Sequence, residues 1–226
     1  MTNKCVITGT DTGVGKTIFS AMLMLGLDEL DSDVSYWKPV QSGIEEIDTK
    51  SVQDLTELPT ERFFPESYVL TEPLSPHRSA ELDNIEIDVT QFKIPEFSGP
   101  LLIEGAGGLM VPLTRDILLM DLFAQWRLPT ILCTRTSLGT INHTLLSIEA
   151  LQKRNIPVHG LAFIGEDNPD NIRTIHEYSG IKVLGRLPKL DSLSQNTLKQ
   201  AFKDNFNTDD FFVADDQFAR VANSAA

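Results

Sequence analysis

A glycine-rich loop between a predicted strand and a predicted helix constrains this chain more than any other feature. The strand covers Lys4 to Thr8, and the helix covers Lys16 to Leu30, where apolar residues recur three and four apart. Between them lies GTDTGVGKT, residues 9–17, with five residues between its first and third glycines, one more than usual. Glycines let backbone N–H groups approach phosphate oxygens, and a helix N-terminus favours negative charge. The loop predicts a nucleoside triphosphate site in which Lys16 reaches the outer phosphates and Thr17 can bind Mg²⁺.

Short apolar runs alternate with stretches of helical spacing along the rest of the chain. This alternation predicts an α/β fold, a doubly wound and mainly parallel sheet flanked by helices, like that of phosphate-loop (P-loop) NTPases. Further strands are predicted at 34–38, 100–104, 129–134, 158–164 and 182–184, and further helices at 51–58, 116–126, 140–154, 168–179 and 194–205. Asp88 is expected to cap a short helix.

Domain organisation is predicted to be simple. We expect one domain over residues 1–206 and an acidic tail over 207–226, which either frays or docks on a partner. The stretch 59–75 is rich in Pro, Glu and aromatic residues without clean periodicity, so it is expected to be an ordered excursion over the sheet that could form a lid.

The charge balance excludes some classes of partner. Nineteen Lys and Arg against 32 Asp and Glu give a net charge of −13, so the field of the protein repels nucleic acid and anionic membrane surfaces. No basic leader precedes a long apolar run, and no apolar segment is long enough to span a bilayer. Cys5 and Cys133 lie in apolar runs without metal-ligand spacing, which predicts buried thiols in a reducing compartment. We therefore expect a cytoplasmic protein with neither a nucleic-acid nor a membrane partner.

Charged residues follow two other predicted strands. Lys38 opens KPVQSG after the second strand, where it can stabilise a second anion or the charge of a transferring phosphoryl group. Glu104 ends the third strand in EGAGG, and a buried carboxylate there must be paired or metal-bound. Asp54, on the predicted helix 51–58, is expected to be a further Mg²⁺ ligand. The plain alternatives are a solvated strand end for Lys38 and a surface acid for Asp54.

A fourth polar segment, SLGTINH at 137–143, precedes the predicted helix 140–154. Its small residues leave the first helical N–H groups free to bind a carboxylate, although an ordinary N-cap is the plain alternative. His143 is interpreted as a packing or capping residue, because no Ser/His/Asp set is visible.

Together these motifs resemble one known family. With GTDTGVGKT, KPVQSG, PLSPH at 73–77, EGAGG and SLGTINH in this order, the chain resembles dethiobiotin synthetases over about residues 6–190. The resemblance implies a parallel seven-stranded sheet and a homodimer. It also implies a reaction in biotin synthesis that closes a cyclic urea on 7,8-diaminopelargonic acid, with CO₂, ATP and Mg²⁺.

The resemblance also implies roles for individual residues. Lys16 and Lys38 would be catalytic, and Mg²⁺ would be held by Thr17, Asp54 and Glu104. Ser42 would bind the substrate, whose remote carboxylate would rest on Gly139, Thr140, Ile141 and Asn142 of the neighbouring subunit. The implied nucleotide contacts are Gly13, Val14, Gly15, Lys16, Thr17, Ile18, Asp54, Glu104, Gly105, Ala106, Gly107, Ile164, Gly165, Pro188 and Leu190.

One position departs from the family pattern. Ile164 stands where family members commonly carry an asparagine whose amide reads the adenine edge. Isoleucine cannot make those hydrogen bonds. We therefore hypothesise that discrimination between bases is weakened, or is rebuilt from Glu166, Asp167 or Asn168.

Two other functions remain as alternatives. An amidotransferase-type synthase acting on a cobyrinic acid shares the fold, but such enzymes generally carry a glutaminase domain with a nucleophilic cysteine. A nucleotide-dependent switch of the partition type usually carries an extra lysine early in the phosphate loop, where this chain has residues 10–12, TDT.

Overall fold

The computed structural model describes residues 4–30 and 33–211. The strands are β1 Lys4–Gly9, β2 Ser35–Trp37, β3 Val40–Ser42, β4 Phe63–Phe64, β5 Tyr68–Leu70, β6 Leu101–Glu104, β7 Thr130–Arg135, β8 Val158–Ile164 and β9 Val183–Leu187. The helices are α1 Lys16–Asp28, α2 Asp48–Thr56, α3 Pro76–Asp83, α4 Leu119–Trp126, α5 Thr140–Lys153, α6 Pro169–Ser179 and α7 Gln195–Asn205. A 3₁₀ turn at Val89–Gln91 is capped by Asp88, whose side chain accepts from the Thr90 N–H, as the sequence predicts.

Seven strands of the described chain form one parallel sheet in the order β4-β2-β6-β1-β7-β8-β9. Residues alternate between its two faces, so Val6 enters one core and Ile7 the other. One face packs against α1, α2 and α7, and the other against helices that include α4, α5 and α6. The predicted doubly wound α/β fold and its seven parallel strands are confirmed. Because β1 lies between β6 and β7, the loops after these strands meet at one edge.

Part of the segment 59–75 belongs to sheets. β4 is the edge strand of the main sheet, and β5 pairs in parallel with β3 in a second, two-stranded sheet. The Gly43 N–H donates to the Leu70 carbonyl at 2.9 Å and extends this pairing. The segment is therefore ordered, as predicted, and it holds the strand that carries Ser42.

The predicted tail is described only as far as residue 211. Thr208–Asp210 forms a 3₁₀ turn, the Asp210 carbonyl lies 2.6 Å from His159 Nε2 on β8, and Phe211 packs on the rings of Phe202 and Phe206. Residues 212–226 lie outside the described residues. In the part of the chain that is described, no helix combines the length and apolar character needed to cross a membrane.

Candidate active site

The phosphate loop joins β1 to α1 in the predicted way. Gly13 and Gly15 have φ of 67° and 105°, left-handed values that glycine adopts without strain. Gly15 is the N-cap of α1, so the first N–H groups of the helix have no partner within it. Lys16 is 6% exposed, and its Nζ lies 3.3 Å from the Asp11 carbonyl, folded back over the loop. This geometry can cradle phosphates.

The loop that follows β6 packs against the phosphate loop. The Gly105 N–H donates to the Ile7 carbonyl at 2.9 Å, and a Cβ on Gly107 would lie 3.1 Å from Thr12 Oγ1. Ala106 and Gly107 thus lie beside the phosphate loop, where the sequence places them.

Glu104 is the centre of a buried polar network. Its side chain is fully buried and accepts four hydrogen bonds, Oε1 from Thr17 (3.0 Å) and Lys38 Nζ (3.1 Å), and Oε2 from Ser20 (2.8 Å) and Tyr36 (3.0 Å). Four charge-assisted hydrogen bonds stabilise an ionised carboxylate in the protein interior. The sequence predicts Glu104 and Lys38 in this place, but it does not predict Ser20 and Tyr36, which have the appearance of ordinary core residues.

The second carboxylate of the cluster is Asp48, not the expected Asp54. Asp48 Oδ2 lies 2.5 Å from Lys38 Nζ, and Asp48 Oδ1 lies 3.0 Å from Thr17 Oγ1, so the single hydroxyl proton of Thr17 is shared between Asp48 and Glu104. Asp54 lies about 9 Å further along the axis of α2, and its 60% exposed side chain pairs with Lys50. The structure thus places Asp54 away from the cluster, because α2 begins at Asp48, three residues before the expected start, and Asp48 occupies the end nearest Lys38.

The pKa values of Lys16 and Lys38 are shifted in opposite directions. Burial alone would lower the pKa of Lys38, but Glu104 and Asp48 together raise it above its ordinary value, so the ammonium is kept. Burial lowers the pKa of Lys16, and Glu104 only partly offsets that effect. Lys38 is thus a preorganised positive charge, while Lys16 lacks an equivalent anion and is suited to receive one.

Three oxygen-bearing side chains of this cluster fit Mg²⁺. Thr17 Oγ1 is within 3.0 Å of an oxygen of both Asp48 and Glu104, so one hydroxyl and two carboxylates meet at one point. Mg²⁺ in nucleotide enzymes is usually bound by one or two carboxylates, waters and substrate phosphates. The donor set is therefore of the right kind for it.

A cavity of about 430 Å³ opens beside the cluster. Ser42 Oγ is buried at its wall and has no hydrogen-bond partner among the described residues, which leaves it free for a ligand. Ser75 also lines the cavity, and its Oγ lies 3.0 Å from His77 Nδ1. The lining residues are Thr12, Lys38, Gln41, Ser42, Asp48, Pro73, Leu74, Ser75, Pro76, Ala106, Gly107 and Val111.

The remaining predicted residues lie in two other places. Residues 139–142 begin α5 and do not line the cavity; Gly139 and Asn142 are exposed, and Leu138 before them is fully exposed. On the other side, a Cβ on Gly15 would lie 3.0 Å from Ile164, and the Gly165 N–H donates to the Leu187 carbonyl at 3.0 Å. The loop that carries Pro188 and Leu190 therefore runs beside Ile164 and the phosphate loop.

A family model and named relatives match most of this chain. A family model described as an AAA domain matches residues 3–197. A protein named ATP-dependent dethiobiotin synthetase BioD, from Rhodopseudomonas palustris (strain HaA2), is 54% identical over 212 residues, 93% of this chain and 97% of that protein. The protein of the same name from Brucella anthropi is 52% identical over 93% of this chain and 98% of its own length. A solved structure of the MinC:MinD cell division protein complex from Aquifex aeolicus aligns over 88% of this chain and 85% of its own, with 15% identity and a TM-score of 0.49.

Proposed function

Because the chain belongs to the family of ATP-dependent dethiobiotin synthetases, we propose that the cavity beside Lys38 is where its reaction takes place. The chain is an ATP-dependent ligase of biotin biosynthesis. The observation that carries the proposal is the position of Lys38 Nζ, buried between Glu104 and Asp48 at the wall of a cavity shared with the phosphate loop.

The reaction brings several negative charges together at this point. An amine of diaminopelargonic acid forms a C–N bond to CO₂ and loses a proton, which gives a carbamate. A carbamate oxygen attacks the γ-phosphorus of ATP and ADP leaves; the second amine then attacks the carbonyl carbon, loses a proton and expels phosphate as the ring closes. Lys16 holds the outer phosphates, and Lys38 stabilises the carbamate and the transferring phosphoryl group.

Mg²⁺ completes the charge balance in this proposal. Thr17, Asp48 and Glu104 would hold it, and when bound it would neutralise the charge of the phosphate oxygens. Ser20 and Tyr36 fix the orientation of Glu104 by donating to the oxygen that faces away from Thr17.

The unpartnered hydroxyl of Ser42 would bind the amine end of the substrate in the cavity. The remote carboxylate would rest on the N–H groups at 139–142 of a second subunit, since these residues lie outside the cavity of their own chain. The enzyme would thus be a homodimer with its substrate site at the interface. Cys5 and Cys133 are free thiols, which supports a reducing, cytoplasmic location.

Weak discrimination between nucleotide bases also forms part of the proposal. Of the three residues that could replace the missing amide, Asn168 is committed to the Thr136 carbonyl and the Asn171 N–H. Glu166 and Asp167 are exposed and lie near Lys189 and Arg186. We expect turnover with ATP, GTP and CTP to be similar. A strong preference for ATP would contradict weak discrimination, and a preference that also survives substitution of Glu166, Asp167 and Asn168 would exclude the alternative in which these residues rebuild it.

Product analysis tests the function as a whole. The protein is incubated with diaminopelargonic acid, bicarbonate and MgATP, and the products are identified by mass spectrometry and a phosphate assay. We expect a product with the mass of the diamine plus CO₂ minus water, and phosphate release that requires the diamine. Phosphate release that is indifferent to the diamine would instead favour a nucleotide switch, and consumption of glutamine added to a parallel incubation would favour the amidotransferase alternative.

A further inference from the structure

Gln41 is a buried residue whose side-chain amide forms hydrogen bonds with the backbone of the loop that follows it. It stands on β3 between Lys38 and Ser42 in KPVQSG and is 4% exposed. Its Nε2 group lies within hydrogen-bond distance of the carbonyls of Ser42 (3.2 Å), Gly43 (3.0 Å) and Glu46 (3.1 Å), and its Oε1 accepts from the Asp48 N–H at 3.3 Å. One buried amide therefore spans the whole loop that follows it.

The bond to Asp48 replaces a missing helix cap. α2 begins at Asp48, and its N-cap residue Ile47 has no side-chain oxygen that could accept from the first turn. Gln41 Oε1 provides that acceptor from outside the helix. The carbonyls on Nε2 fix which end of the amide faces the helix, because only the nitrogen can donate to them.

From these contacts we propose that Gln41 is a positioning residue for Asp48. By holding the loop 42–47 and the first N–H of α2, Gln41 sets where the Asp48 carboxylate meets Lys38 Nζ (2.5 Å) and Thr17 Oγ1 (3.0 Å). The inference rests on the proposed function, in which Asp48 binds the nucleotide-bound Mg²⁺. Groups that orient metal ligands typically change metal affinity about 10- to 100-fold when they are removed.

A double-mutant cycle tests this inference through metal binding. Affinity for Mn²⁺, a paramagnetic substitute for Mg²⁺, is measured by electron paramagnetic resonance with a non-hydrolysable ATP analogue. Gln41→Met keeps the length of the side chain and removes all of its hydrogen bonds. We expect Mn²⁺ affinity to fall about 10-fold in Gln41→Met. We expect it to fall at least as far in Asp48→Asn, and little further in the double variant.

Gln53→Met is the matched control. Gln53 is on α2, the helix that begins with Asp48, and its side chain donates to Thr60 Oγ1 on an exposed surface. This variant should bind Mn²⁺ as the unmodified protein does. If Gln41→Met does not give a cooperative melting transition, Gln41→Ala replaces it with the same expectation, since residue 41 faces the cavity.

The outcomes separate this inference from the proposal on which it rests. Unchanged Mn²⁺ affinity in Asp48→Asn would overturn the metal role of Asp48, and with it both statements. Weak binding in Asp48→Asn with normal binding in Gln41→Met would overturn only the role of Gln41. A full additional loss in the double variant would show that Gln41 does not act through Asp48, which would also overturn the inference.

Discussion

Among single side chains, the Lys38 ammonium should matter most to the reaction. It lies 2.5 Å from Asp48 and 3.1 Å from Glu104 and is almost completely buried. We expect Lys38→Ala to lower turnover by roughly 10²-fold or more, because a preorganised donor at the developing charge is lost. We also expect the free energy of unfolding to fall by about 3 kcal/mol, because the buried Glu104 carboxylate and the partly exposed Asp48 carboxylate lose their counter-charge. Steady-state rates and urea unfolding measure the two effects.

Lys50→Ala is the control for this variant. Lys50 pairs with Asp54 on the exposed face of α2, where ion pairs contribute little. Its turnover and unfolding free energy should stay close to those of the unmodified protein. Near-normal turnover in Lys38→Ala would remove Lys38 from the mechanism.

Only some residues of the buried network around Glu104 can be predicted from the sequence. Glu104 and Lys38 are predictable because a charge at the end of an apolar strand needs a partner. Asp48 is not, since the start of α2 is set by Gln41, a residue of another element whose contact no local pattern encodes. Tyr36 and Ser20 look like core residues in the sequence, and only their distance to Glu104 identifies them as its donors.

For strands and helices, prediction succeeds where periodicity is long enough to read. The six helices other than α3 and the strands of the main sheet other than β4 begin and end within about three residues of their expected positions, because apolar runs and helical spacing specify them locally. The strands β3, β4 and β5 have two or three residues each and are not predicted. A run of two or three residues is too short to show the alternation of apolar and polar residues that indicates a strand. The pairing of these strands depends on tertiary contacts instead.

Glu81 connects α3, which begins within the SPH segment at 75–77, to the loop before α4. It accepts from Arg115 Nε (2.6 Å) and Arg78 Nη1 (3.0 Å), and these bonds lower its pKa from 4.5 to about 2. A carboxylate with a depressed folded-state pKa stabilises the fold above its unfolded pKa and loses that effect as pH falls. Near neutral pH, the unmodified protein should therefore have a higher melting temperature than the Glu81→Gln variant. This difference in melting temperature should shrink as the pH falls from 4.5 towards about 2.

Thermal melts of both proteins across this pH range measure the difference, which should be small because the group is exposed to solvent. Added salt should reduce it at neutral pH. A difference that grows as the pH falls would contradict the assigned sign.

In the assembled protein, the proposed shared site can be tested by subunit complementation. Lys38→Ala should abolish the reaction in the cavity of its own chain, and Asn142→Asp should repel the substrate carboxylate from the N-terminus of α5. If the two groups come from different subunits, a mixture of the inactive variants recovers about one quarter of normal activity, because half of the randomly formed dimers hold one intact site. Activity is measured after the variants are unfolded and refolded together.

The control is each variant unfolded and refolded alone, which should stay inactive. A mixture that also stays inactive, while sedimentation shows mixed dimers, would place residues 139–142 and Lys38 of one chain in the same site.

Transfer of oxygen from bicarbonate to phosphate tests the proposed chemistry most directly. With ¹⁸O-labelled bicarbonate, diaminopelargonic acid and MgATP, a carbamate oxygen that attacks the γ-phosphorus must leave on phosphate when the ring closes. Mass spectrometry should find one labelled oxygen in the phosphate released for each ring formed. Ring formation with unlabelled phosphate, or phosphate release without a ring, would contradict the mechanism assigned to Lys16, Lys38 and Glu104.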